Sequence, residues 1–373
     1  MGSALSERSQ SGDAAQRHFR KWTLDGCAEF WLPSCRRLCD NRPEPPFTSE
    51  AAGNQPQDKQ KVCKPVEPHP LDFDWRFDAT TISKLSMLLP RSGTVLALGC
   101  PSLARKLTDG GREIMLVDRQ PFHCLDLHVE LDIQVSPPEL SGFASAVIDP
   151  PWYPEHVKRW VAWAANCVVD GAEILVSVWP SGTRPFGESE YQELKEWMQT
   201  WSEIALLDYQ PTYETPPFEL ASETSSGDGA LSTSPRVGRL IRLRLKEIPS
   251  LPFINKSGED WTRFVFNNYQ IAVRKRSGAL THASFNPVPS ANGWIWPYVS
   301  RRAPLRDTID VWSSRNEVAK VENTSLLIDA LRKLSCPDAH DKFTSILSAF
   351  PSLLEWEFPR PPYWRTYEWT HRQ

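Results

Sequence analysis

Ala146-Val147-Ile148-Asp149-Pro150-Pro151-Trp152-Tyr153 runs from an apolar strand straight into an acid, two prolines and two aromatics. A Val- and Ile-rich strand buried on both faces suits a parallel sheet. Neither proline can donate to a ladder, and each fixes its own φ, so the strand must stop there. Asp149 is thereby presented at the strand's C-terminal end, the edge at which open α/β sheets bind ligands. The plainer alternative is a buried strand followed by a proline turn.

At neutral pH Asp149 is expected as an acceptor-only carboxylate. The Pro150 carbonyl, held by a stiff Pro150-Pro151 pair, offers a second acceptor. Trp152 or Tyr153 offers a flat face for a ring. Two acceptors beside an aromatic face suit an exocyclic amine on a planar base. Accepting both N–H protons localises the amine's lone pair, and the nitrogen can then attack an electrophilic methyl group.

From Pro154, apolar residues recur at Val157, Trp160, Val161, Ala164 and Val168, one helical face. Asp170-Gly171 is expected to end that helix, and Ile174 to Trp179 reads as the next buried strand. This strand–loop–helix–strand unit resembles the motif IV region of the amino-methyltransferases that use S-adenosylmethionine. In that family a loop of Asp or Asn, two prolines and an aromatic holds the target amine. The Asp-Pro-Pro-Trp (DPPW) form at Asp149 to Trp152 is similar to that of the N6-adenine enzymes.

Upstream, Asp78 reads as the N-cap of a helix with Ile82, Leu85, Leu88 and Leu89 on its apolar face. Thr94 to Leu98 is a buried strand ending in Gly99-Cys100-Pro101-Ser102. Ser102 is expected to cap a short helix that stops at Gly110-Gly111. Glu113 to Val117 is a second strand with Asp118 at its end. Gly99 would let backbone approach a ligand, and Asp118 sits where an acid grips ribose hydroxyls. These segments resemble motifs I and II of a class I methyltransferase, which places Gly99, Cys100, Ser102 and Asp118 around the cofactor. The resemblance sets Asp132 at the residue that reads the cofactor's adenine. Gly-Cys-Pro replaces the family's Gly-x-Gly, and Pro101 removes a backbone donor.

Downstream, Glu188 to Trp201 reads as a helix. Ile204 to Tyr209 and Arg239 to Leu245 resemble the terminal hairpin of the same fold. Their connection, Glu219 to Pro235, is Ser-, Thr- and Gly-rich and expected to be mobile. The domains expected are 1–70, a poorly ordered or small N-terminal extension; 71–250, the methyltransferase domain; and 251–373, a C-terminal extension suited to substrate recognition. The resemblance implies a Rossmann-like class I α/β fold: a mostly parallel, seven-stranded sheet with helices on both faces. In the C-terminal extension a hairpin is expected around Asn267-Asn268, with helices at Ser325 to Leu334 and Ala339 to Ala349. Trp356, Trp364 and Trp369 are expected to dock on the body. Arg274, Arg301 and Arg302, interleaved with aromatics, can track a phosphate backbone or form an ordinary solvated or protein-binding surface.

A formal charge of −4 argues against a protein that coats nucleic acid generally, but not against a local basic groove. The eight cysteines include no Cys-x-x-Cys pair, and the spacings of Cys27, Cys35, Cys39 and Cys63 with His18 or His69 match no zinc module. Reduced thiols, no metal and a cytoplasmic location are expected. No apolar run approaches a membrane span. Nothing in the sequence sets an oligomeric state.

The expected activity is methyl transfer from S-adenosylmethionine to an amino nitrogen, with adenine N6 in RNA or DNA leading. A protein lysine is the alternative acceptor. A catalytically inactive scaffold that keeps the fold and binds nucleic acid or a partner is the third reading.

Overall fold

The structure, a computed structural model, describes residues 66–122, 125, 127–225, 236–254, 260–276, 283–300 and 303–372. The chain divides into two compact units, Met1–Lys61 and Val62–Gln373. The first, with its cysteines, lies outside the described residues, as does Cys63.

The described chain begins with a buried strap, residues 66–72, followed by β1 (Arg76–Phe77) and α1 (Ala79–Leu88). Asp78 caps α1 as expected, its Oδ1 accepting from the Thr81 N–H at 2.7 Å. Then come β2 (Val95–Leu98), α2 (Pro101–Asp109), β3 (Ile114–Asp118), β4 (His128–Glu130), β5 (Phe143–Ile148), α3 (Pro154–Ala165) and β6 (Val168–Val178). They lead to α4 (Gly187–Gln199), β7 (Ser202–Leu206), β8 (Tyr213–Glu214), α5 (Pro217–Ser225) and β9 (Arg239–Leu245).

Seven of these strands form one sheet in the order β4-β3-β2-β5-β6-β9-β7. All neighbours are parallel except β9, which runs against both β6 and β7. This is the mostly parallel, seven-stranded sheet of the Rossmann-like class I fold expected from the sequence. Alternate strand residues divide between its faces, as a period of two requires. Leu96, Leu98, Ala146, Ile148, Ile174 and Val176 pack with α3 and α4. Val95, Ala97, Val147 and Leu175 pack with α1 and α2. Strand order reverses between β2 and β5, so the loops after these two strands open a crevice at the carboxyl edge.

Three local expectations need correcting. Helix α3 stops at Ala165, not at Asp170-Gly171; Val168 already belongs to β6. Gly171 (φ +72°) lies where the β5–β6 register shifts, so this turn-forming pair marks an irregular strand. Ser102 is not a cap: Cys100 is the N-cap of α2 and Pro101 its first residue. A proline is well suited there because that N–H has no helical partner. Within the expected mobile connection, residues up to Ser225 are helical in α5; residues 226–235 lie outside the described residues.

The C-terminal part builds a second, antiparallel sheet from β10 (Asp260–Phe266), β11 (Tyr269–Arg274), β12 (Phe285–Asn286), β13 (Val311–Ser313), β14 (Val318–Val321) and β15 (Thr366–Arg372). Its order is β12-β14-β13-β11-β10-β15. The expected hairpin is β10–β11, pairing Phe266 with Tyr269 across Asn267-Asn268. Asn267 takes φ 61°, a value asparagine tolerates in tight hairpin turns. Helix α6 (Thr324–Leu334) covers one face; Ala339 to Ala349 is not one helix but 3-10 turns around the four-residue α7 (Phe343–Ile346). Trp369 docks as the tail pairs with β10, and Trp356 is buried, but Trp364 stays 53% exposed. No helix among the described residues is long and apolar enough to cross a membrane.

Candidate functional site

β5 carries its backbone pairing as far as Asp149, whose N–H donates to the Leu98 carbonyl at 3.0 Å. The two prolines then end the ladder. The Pro151 carbonyl accepts from the Tyr153 N–H at 2.7 Å, and Tyr153 becomes the N-cap of α3 with Pro154 as its first helical residue. The loop is thus held from both ends. Its acid is held from the side: the Tyr213 hydroxyl, on β8, donates to Asp149 Oδ1 at 2.8 Å and lies 2.6 Å from Ser177 Oγ. Among the described residues nothing donates to Asp149 Oδ2 or to the Pro150 carbonyl. Burial pushes the Asp149 carboxyl well above its ordinary range; Tyr213 opposes the rise, Asp74 adds to it and Arg236 opposes it. Burial, with Asp149 nearby, raises the Tyr213 phenol too, so it remains a donor.

Asp149 to Tyr153 form one wall of a cleft of about 500 Å³. Gly99, Asp118 and Asp132 line the same cleft. Gly99 has φ +64°, and a Cβ there would come 2.7 Å from the Trp160 ring and 3.0 Å from the Asp149 carbonyl oxygen. Any side chain would drive the two loops apart. Asp118 Oδ1 accepts from the Gln120 N–H at 2.8 Å, and burial pushes its carboxyl up to about 7, with Asp74 and Asp72 adding to the rise. Asp132 Oδ1 accepts from the Gln134 N–H at 3.0 Å. Arg159 pins this loop from behind, donating to the carbonyls of Ile133 and Ser136.

Cys100 and Ser102 do not line the cleft. The Cys100 thiol points inward and donates to the Leu98 carbonyl at 3.3 Å, and α2 starts two residues earlier than expected, with Cys100 rather than Ser102 as its cap. Arg274 is not a surface contact either. It is 8% exposed, donates to the carbonyls of Asp307 and Arg306, and lies over Trp261 at 4.9 Å. It closes the end of β11 and is absent from the cleft lining. Arg301 and Arg302 lie outside the described residues.

Several cleft residues escaped the sequence reading. Gln120 is 4% exposed; its Nε2 donates to Asp72 Oδ2 at 2.8 Å and Asp74 Oδ2 at 3.1 Å, which fixes the amide's orientation. Among the described residues its Oε1 therefore remains an acceptor without a partner, as does Gln134 Oε1, and Trp160 Nε1 is a donor without one. Trp75, Phe218, Arg184 and Arg236 complete the far half of the cleft around Trp152. Phe73 also lines it, edge-on to Tyr153 at 5.7 Å and held at φ 52°. Such a left-handed conformation costs a bulky residue ~1–3 kcal/mol and persists only where its surroundings impose it. The imposing element is the strap. Asp72 makes a bidentate pair with Arg263 of β10 (2.5 and 2.7 Å) and an ion pair with Arg119. His69, fully buried, lies 3.0 Å from the Trp312 carbonyl oxygen and accepts from the Leu71 N–H. Ile254, Val299 and Ser300 from the C-terminal part also reach the cleft.

No family model matches the chain. No curated protein matches it. Solved structures do show likeness. A branched-chain polyamine synthase mutein from Thermus thermophilus, in complex with N4-aminopropylspermidine and 5'-methylthioadenosine, aligns at 13% identity and TM-score 0.43, covering 52% of this chain and 64% of that one. A T. thermophilus 16S rRNA N2 methyltransferase, in complex with AdoMet and guanosine, aligns at 13% identity and TM-score 0.31, covering 55% and 50%. A TehB-like SAM-dependent methyltransferase from Corynebacterium glutamicum aligns at 13% identity and TM-score 0.30, covering 45% and 87%. The chain thus spans less than two thirds of the length of the first two.

Proposed function

We propose that this protein transfers a methyl group from S-adenosylmethionine to an amino nitrogen, and that the acceptor is adenine N6 in a nucleic acid. One arrangement carries the reading. Asp149, open at Oδ2, and the Pro150 carbonyl stand beside the Trp152 ring in the cleft that also holds Asp118. The near half of the cleft fits an adenosyl group. Gln120 Oε1, Gln134 Oε1 and Trp160 Nε1 are buried and have no partner among the described residues, and such atoms call for complementary ligand groups. Asp118 and Gln120 Oε1 suit ribose hydroxyls; Asp132 and Gln134 Oε1 suit a ring amine.

When bound, the cofactor supplies an electrophilic methyl on a sulfonium. The chain's own residues do the rest. Asp149 Oδ2 and the Pro150 carbonyl accept the two amine hydrogens and aim the lone pair. Trp152 and Tyr153 hold the ring plane. A carboxylate whose pKa is raised by burial is a stronger base than an ordinary one, so Asp149 is suited to take the proton that the alkylated nitrogen releases. Tyr213 keeps the acid oriented while that charge changes. Positioning and charge placement are the sources of rate in such a site.

The test is methyl transfer from labelled S-adenosylmethionine to adenine-containing single-stranded RNA and DNA, with N6-methyladenine identified by mass spectrometry. Label in an adenine-free strand, or in a protein lysine, would overturn the acceptor. Failure of the full chain to bind the cofactor would leave the inactive-scaffold reading in its place.

A further inference from the structure

The far half of the cleft contains a guanidinium that the reaction above does not use. Arg236 lies 3.6 Å over the Trp75 ring centroid and 5.4 Å over that of Trp152, and it lines the cleft. Its side chain makes no hydrogen bond and no ion pair with the described residues. The neighbouring groups are Glu219, Tyr213, Tyr153 and Asp149, none of which pairs with it. Glu219 is itself pushed up to about 7 by burial, which weakens it as a counter-charge near neutrality. Arg184 approaches Trp152 from its backbone: Nη1 donates to the Trp152 carbonyl at 2.8 Å, Nε pairs with Glu190, and Nη2 is buried with no partner among the described residues.

A stacked guanidinium is held flat by the ring, and its N–H fork points outward in the ring plane. Planar forks of this kind match the paired oxygens of phosphate or carboxylate. We infer that Arg236, assisted by Arg184 Nη2, holds a phosphate of the nucleotide that carries the acceptor amine. This rests on the adenine reading and makes Arg236 a specificity determinant within it. Trp152 then serves two tasks, its ring walling the base and, with Trp75, its ring and carbonyl positioning the phosphate-holding arginines.

The experiment is calorimetric titration of the full chain, with the cofactor half filled by saturating S-adenosylhomocysteine. The probes are adenosine, adenosine 5'-monophosphate and a short oligoadenylate. Wild type is expected to bind the monophosphate about tenfold or more tightly than adenosine, the worth of one charge-assisted pair. Arg236→Ala is expected to erase that difference while adenosine still binds. Arg236→Lys, which keeps charge but loses the fork, should recover only part of it. The oligoadenylate separates a phosphodiester strand from a free nucleotide as the source of the phosphate. Equal affinities in wild type, or a preference that survives in Arg236→Ala, would overturn the phosphate assignment and leave the adenine reading standing. Binding of neither adenosine nor its phosphates, with S-adenosylhomocysteine bound, would overturn both.

Discussion

Tyr213→Phe removes one oxygen from the centre of the site, and with it the contacts to Asp149 Oδ1 and Ser177 Oγ. The ring remains packed against Phe77 (5.0 Å) and edge-on to Trp152 (5.6 Å). The hydroxyl's bond to a carboxylate is of the charge-assisted kind, worth ~1.5–3 kcal/mol. Since 1.36 kcal/mol is one pKa unit, its loss should raise the Asp149 carboxyl by a further ~1–2 units. Asp149 must be ionised to accept the amine hydrogens. The acid limb of the pH–rate profile should therefore move up by ~1–2 units, and the rate should recover toward wild type above it. Stability should follow the same sign. A carboxyl whose folded pKa is raised binds its proton more tightly folded than unfolded. Its charge therefore costs stability as pH rises from the unfolded pKa to the folded one. Tyr213→Phe widens that window upward, so the variant should lose most against wild type at high pH and least in acid. Single-turnover methyl transfer across pH reads the first effect. Infrared titration of the carboxyl band, with Asp149→Asn as the assignment control, reads it without an acceptor. An acid limb and a carboxyl band that stay where wild type has them would refute the coupling.

Asp149→Ala should cost ~3–4 kcal/mol of transition-state stabilisation with cofactor affinity nearly intact. Asp149→Asn should slow turnover without abolishing it, since an amide oxygen still accepts; a wild-type rate in folded Asp149→Ala would make the loop structural. Asp118, pushed up to about 7, must be ionised to grip hydroxyls, so cofactor affinity should fall as pH drops through that value. Asp118→Ala should weaken cofactor binding by ~1.5–3 kcal/mol; a flat pH dependence in wild type would remove Asp118 from the site. Asp72→Asn strips the buried Arg263 of its carboxylate and should destabilise the fold by ~3–5 kcal/mol, read by denaturant unfolding. A change below about 1 kcal/mol would mean that the pair is solvent-compensated.

The sheet was legible because its signals are local. Buried apolar runs, a glycine or an acid at the end of such a run, and the Asp-Pro-Pro stop each occupy a few consecutive residues. The same locality explains the residues placed on the cleft wall: Gly99, Asp118, Asp132 and Asp149 all follow strands at the carboxyl edge. Tyr213, Arg236 and Gln120 carry no such signal. Tyr213 reaches Asp149 across 64 positions and Gln120 reaches Asp74 across 46, contacts that only the folded topology creates. Arg274 misled for the opposite reason. Arginines interleaved with aromatics read as surface charge, yet Arg274 turns inward to satisfy backbone carbonyls at the end of a strand. Cys100 and Ser102 were misplaced by a shift of helix start, the boundary to which a proline's fixed φ is most sensitive.

The strap at Asp72 bears on how the molecule divides. A cut at residue 250 looks natural from sequence, because the seven-stranded sheet is complete by Leu245. Yet Arg263, which neutralises Asp72, lies beyond that cut, and Asp72 is one of the charges that raises Asp118. Removing the C-terminal part would take the bidentate Arg263 from Asp72, leave that acid to Arg119 and Gln120 beside Asp118, and free the backbone that holds Phe73 in the cleft. The two sheets are thus two folding layers joined by a seam beside one cleft. A ligand that demands charge at Asp118 would, by linkage, also tighten the seam between the sheets, and a change in the seam would be felt as a change in affinity.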